Sequence, residues 1–352
     1  VQQIPFNSIL INGMLGFLLF AGAMTIDIAN LREQGWEVAV LSMLGTVAST
    51  FLIGSSLDIL LNLLGYHLPF IYCLLFGALI SPTDPIAVLA MFKDLNAPRH
   101  MATILEGESL FNDGIGIVLF LTIYQATFNL GHPTFINVSL LFLQQAMGGL
   151  IYGLILGWFG AYLIRTTHSA RLAILITIAL VSGGYAMAQL LKISGPLAMV
   201  VAGLIVGNTS SLTLSIKKEL NIFWDVLDEI LNVVLFLLVG FEMLVMPWTL
   251  EKLIIGLFII PLVLIVRYIT VAMPISFFQR KKDYYPYFVA ILTWGGLRGG
   301  LAIALALSLP RDQYRDWMLG MTYMVVLFAI VVQGLTMKPL IAKSLAKMDK
   351  AA

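Results

Sequence analysis

Apolar residues fall along this chain in long blocks separated by short joints of Lys, Arg, Pro and Gly. Roughly 20 apolar residues carry a helix across the hydrocarbon of a bilayer, so the pattern predicts about eleven membrane-spanning segments. In the first half they cover 9–29, 38–64, 68–91, 102–124 and 138–163. In the second half they cover 172–191, a shorter 196–207, 226–244, 253–278, 286–309 and 317–340. Between them, 208–225 is polar but carries Leu, Ile and Trp, the pattern of an interfacial helix. A barrel strand would alternate polar and apolar positions over about 10 residues, and none of these blocks alternates. The pattern predicts an all-α polytopic membrane protein.

Two spans are interrupted. In the third, Ser81-Pro82-Thr83-Asp84-Pro85 places two prolines mid-span, and each deletes a backbone donor. In the tenth, Gly295-Gly296-Leu297-Arg298-Gly299-Gly300 sets four glycines around a charge, each worth about 1 kcal/mol against a helix relative to alanine. Lys and Arg cluster on alternate joints, which marks one side as cytoplasmic and puts the carboxyl terminus there. On that assignment the third and tenth spans run in opposite directions, as inverted repeats with two discontinuous helices require.

Composition sharpens this picture. Of 352 residues 60% are hydrophobic and 11% charged, against about 25% charged in a soluble domain. With a net charge of +1 and no extended basic patch, nucleic acid is not an expected partner. Cys73 is the one cysteine, so neither an internal disulfide nor a cysteine metal cluster can form. Nothing in the chain points to a cofactor. The chain enters an apolar run almost at once, without the pattern of a cleaved leader, and a further amino-terminal portion is expected ahead of it.

Ionisable side chains within the spans are few, and each costs at least ~2.5 kcal/mol near the bilayer centre on insertion scales. The third span holds Asp84. The fourth holds Glu106, Glu108 and Asp113, with Ser109 and Asn112 between them; the ninth holds Arg267 and the tenth Arg298. At 100° per residue Ser109 and Asp113 share one helix face, and Glu108 and Asn112 the next. One face can line a cavity beside Asp84. A cavity with two carboxylates, a hydroxyl and the free carbonyls of a broken helix is an oxygen-only site suited to a small alkali cation rather than to magnesium or calcium. Burial disfavours a bare carboxylate, so Asp113 would carry either a proton or a cation. With Asn112 neutral and Asp84 ionised throughout, exchange would be one cation for one proton and electroneutral. Glu108 reads as structural, neutralised by Arg267 or Arg298. Asp84 can also cap the half-helix after its break.

These residues carry a family resemblance. Ser81-Pro82-Thr83-Asp84-Pro85-Ile86-Ala87-Val88, Gly107-Glu108-Ser109-Leu110-Phe111-Asn112-Asp113 and Gly295-Gly296-Leu297-Arg298-Gly299 resemble the two broken helices and the Asn-Asp signature of the monovalent cation:proton antiporter-1 family. That family comprises prokaryotic sodium/proton antiporters related to animal sodium/hydrogen exchangers. The likeness runs from Phe17-Leu18-Leu19-Phe20 to Gln333-Gly334-Leu335-Thr336.

The resemblance implies an antiporter fold with crossing discontinuous helices and usually about thirteen spans. It implies exchange of sodium, or lithium, for protons, with Asp113 as carrier and Ser109, Asp84 and the Thr83 carbonyl completing the ion site. Asn112 would hold the unwound segment, Glu108 would pair with Arg267, and Arg298 would support the crossing. A homodimer in membrane lipid would work by an elevator motion in a prokaryotic plasma membrane. The core transport domain would be 36–124 and 252–341, the interface 1–30 and 138–244, and 342–352 a short cytoplasmic tail. Two alternatives stay open on the residues: potassium/proton exchange on the same fold, and an intramembrane aspartyl protease using Asp84 and Asp113. The second lacks the Tyr-Asp and Gly-x-Gly-Asp pairs such a protease would need.

Overall fold

The computed structural model describes residues 13–128, 135–209, 214–245, 249–279, 284 and 286–349 apart from 311 and 313. Among them every regular element is helical. In chain order the helices are α1 (Leu15–Thr25), α2 (Ile28–Glu33), α3 (Gly35–Leu63), α4 (Phe70–Ile80), α5 (Ile86–Asp94), α6 (Arg99–Phe128) and α7 (Phe135–Thr166). Then come α8 (Ala170–Leu190), α9 (Gly195–Gly207), α10 (Leu214–Val245), α11 (Leu250–Phe278), α12 (Phe288–Trp294), α13 (Gly300–Leu307) and α14 (Arg315–Lys347). By length and apolarity α3, α7, α8, α11 and α14 can each cross a membrane. The third and tenth spans are each split into two half-helices, α4 with α5 and α12 with α13.

One expectation is corrected. Among the described residues of 208–225 there is no separate interfacial helix; α10 runs unbroken from Leu214 into the next span. Its first turns are polar, but they contain neither Pro nor Gly, so nothing ends the hydrogen-bond ladder before the apolar part begins.

The chain divides into two compact units. The first comprises Val1–Arg32 and Ile117–Leu244, the second Glu33–Gly116 and Val245–Ala352. The first unit centres on Trp224 of α10. This residue is fully buried, stacks against Phe17 and meets the tilted ring of Phe20, both of α1, and donates its indole N–H to Thr177 Oγ1 of α8 at 3.1 Å. α9 starts sharply because Ser194 Oγ accepts the Leu197 amide at 3.2 Å and Pro196 occupies the first turn.

The second unit holds both split helices. α3 and α4 pack with almost no space between backbones: a Cβ on Gly77 would lie 2.2 Å from the Thr50 carbonyl oxygen. At the end where α5, α6, α12 and α14 meet, Val88, Phe92, Ile104, Leu105, Ile291 and Met337 form an apolar core. Both long helices beside the breaks contain a π-turn, Val40–Leu44 in α3 and Ala329–Gln333 in α14.

Candidate ion-binding site

The site is built from backbone that proline and glycine keep out of a helix. After α4 ends at Ile80, residues 81–85 leave the carbonyls of Ser81, Pro82 and Thr83 without helical partners. Each is met by a side chain. Arg298 Nη1 donates to the Ser81 carbonyl and, at 2.8 Å, to that of Pro82. Ser109 Oγ donates to the Thr83 carbonyl at 2.6 Å. Asn112 grips the same residue twice: its Nδ2 donates to Thr83 Oγ1 at 2.8 Å, and its Oδ1 accepts the Thr83 amide at 3.2 Å. Ser109, Asn112, Thr83 and Arg298 are all buried.

The two breaks meet at Asp84. Its amide donates to the Leu297 carbonyl in the second break at 2.7 Å, while its Oδ1 accepts the Ile86 amide at 3.0 Å and so caps α5. Gly299 makes this approach possible, since a Cβ there would stand 2.5 Å from Asp84 Oδ2. Asp113 lies one turn beyond Ser109 on α6 and is half-buried. Among the described residues no side chain hydrogen-bonds its carboxylate, and Asp84 and Arg298 are charged neighbours.

Glu108, on the neighbouring face of α6, forms a buried ion pair through Oε1 with Arg267 Nη1. Arg267 Nη2 also donates to the Leu292 carbonyl, near the end of α12, at 3.1 Å. Of the two arginines that could neutralise Glu108, Arg267 therefore does so, and Arg298 serves the first break instead. The Leu297 carbonyl and Gly299 escaped the sequence reading of the site. A carbonyl has no letter of its own, and four clustered glycines do not reveal which one faces a carboxylate.

Chemically, the second unit offers one unpartnered carboxylate, a second carboxylate fixed by backbone, and a hydroxyl one turn away. All are hard oxygen ligands, suited to a monovalent cation or a proton. Residues 2–343 match the family model described as sodium/hydrogen exchanger, transmembrane. The chain belongs to that family.

As a sodium/hydrogen exchanger family member it is an integral membrane transporter, not an enzyme. It is 41% identical to the Na(+)/H(+) antiporter NhaP of Pseudomonas aeruginosa over 97% of this chain and 82% of that protein. It is 38% identical to the Na(+)/H(+) antiporter NhaH of Halobacillus dabanensis over 97% of this chain and 84% of that protein. Its fold is similar to that of the sodium proton antiporter MjNhaP1 from Methanocaldococcus jannaschii. There the TM-score is 0.79 at 22% identity, covering 98% of this chain and 88% of the other.

Proposed function

We propose that this protein exchanges one sodium ion for one proton, with Asp113 holding one or the other and never both. The observation that carries this reading is the Asp113 carboxylate, which among the described residues accepts no hydrogen bond and lies one helical turn from the Ser109 hydroxyl that holds the Thr83 carbonyl. Asp84, Ser109 and the Thr83 carbonyl complete the cation's shell. Lithium, a smaller ion of equal charge, is a second substrate. The relatives named above are sodium/proton antiporters, which favours sodium over potassium and transport over proteolysis.

The charges around the breaks support electroneutral exchange. Asp84 and Glu108 balance Arg267 and Arg298, so the site is neutral when Asp113 holds a proton and neutral again when it holds sodium. Emptied, it bears one uncompensated negative charge in a low-dielectric surrounding, a state costly to carry across a membrane. This penalty couples the two ions, because only the loaded forms cross. By that logic the second unit is the moving part of an elevator-type cycle. The first unit supplies the homodimer interface, with Ile151, Leu154, Ile155 and Trp158 exposed along α7 for a second copy or lipid. The basic joints favour a cytoplasmic carboxyl terminus, and the bacterial relatives favour a prokaryotic plasma membrane.

Purified protein in liposomes, challenged with sodium, lithium and potassium salts at clamped voltage, tests this. Sodium- and lithium-driven proton movement that ignores membrane potential is the expected result; potassium-driven or voltage-driven movement would overturn it.

A further inference from the structure

α14 contains a π-turn over Ala329–Gln333, closed by the Gly334 amide donating to the Ala329 carbonyl. Such a turn inserts one residue into the helical ladder and rotates the remainder of the helix, which is why π-turns persist mainly where a side chain must be aimed. Here the residue that ends the turn is Gln333, buried at 3% exposure. Its Nε2 donates at 3.0 Å to the carbonyl of Trp294, the last residue of α12. One helical turn further along α14, Thr336 Oγ1 accepts the indole N–H of the same tryptophan at 2.8 Å. The Gln333-Gly334-Leu335-Thr336 segment thus grips Trp294 by both its backbone and its side chain.

Trp294 stands where α12 stops and the second break begins. Its carbonyl has lost its helical partner, and neither Arg298 nor Ser109 reaches it, because both serve the first break. Three residues on, the Leu297 carbonyl receives the Asp84 amide, and the next residue, Arg298, reaches back to Ser81 and Pro82. A shift at Trp294 would therefore move both groups that tie the second break to the first.

We propose that Gln333 and Thr336 are positioning residues for exchange: through Trp294 they hold the second break in the register at which Leu297 and Arg298 meet Asp84 and the first break. The proposal rests on the sodium/proton reading above, and wild-type exchange measured in the same liposomes separates the two. If the wild type does not exchange, that reading fails; if it does, the variants decide the positioning.

Gln333→Leu keeps the bulk and removes the donor, and its maximal rate is expected to fall about tenfold, the factor that one unmade buried hydrogen bond supplies. Gln333→Glu can donate only while its carboxyl is protonated. Its rate relative to wild type should approach unity at acidic pH and decline as pH rises, a dependence that a packing role would not produce. Thr336→Val and Trp294→Phe each delete the indole bond, so the double variant should lose no more than the worse single one. Wild-type rates for Gln333→Leu, a Gln333→Glu ratio flat across pH, or additive losses for the Trp294 and Thr336 changes would overturn the proposal. If the Gln333 variants do not fold, the Trp294–Thr336 pair alone decides it.

Discussion

The two broken helices of the second unit meet the same difficulty, carbonyls stripped of helical partners, in opposite ways. The first break is made by proline, which deletes donors and leaves acceptors. Its carbonyls collect Arg298 and Ser109, and it carries the acid Asp84. The second break is made by glycine, which deletes side chains and lets backbone approach. It lends a carbonyl to Asp84, and Gly299 admits the Asp84 carboxylate where a Cβ would collide. One break is thus rich in acceptors and hospitable to a cation, whereas the other supplies the positive charge and the close fit. The residue type that interrupts a helix decides which kind of site the interruption becomes.

The largest effect is expected at Asp113. Asp113→Asn removes the titrating group beside the first break and should abolish sodium-driven proton movement in everted vesicles, while solubilised protein keeps a wild-type elution profile. Next in size is Arg267→Ala, which strands Glu108 in the interior and should cost about 3–5 kcal/mol of stability, measured as unfolding in detergent. Adding Glu108→Gln should recover part of that loss, and a double variant no more stable than the single one would deny the pair its structural role.

Asn112→Ala removes both hydrogen bonds to Thr83. It should cost about 1–3 kcal/mol in the same measurement and weaken sodium binding. The smallest effect is expected from Gly299→Ala, whose Cβ must push Asp84 aside. Half-saturating sodium should rise while the maximal rate changes less. An unchanged half-saturation would mean that the close fit of the second break does not shape the site.

Much of this architecture was legible because interruptions have letters. Pro82, Pro85 and the glycines of 295–300 announce where helices stop, and helical spacing puts Ser109 and Asp113 on one face. The residues alone leave Arg267 and Arg298 both open as partners of Glu108, since both lie in spans near the second break; the family resemblance names Arg267, and the packing agrees. The continuation of α10 back to Leu214 was misread because a polar stretch next to an apolar one looks like a boundary, although no breaker lies between them. The grip of Gln333 on Trp294 was invisible: a π-turn is set by the tertiary contacts it serves, and no residue in Ala329–Gln333 encodes it locally.

One carboxylate is proposed to serve two ions by competition, and half-saturating sodium measured against pH in liposomes at zero membrane potential tests that most directly. Competition predicts that, on the acidic side, this concentration rises about tenfold for each unit fall in pH, while saturating sodium restores the same maximal rate. A half-saturation that stays constant as pH falls, with a maximal rate that sodium cannot restore, would contradict it.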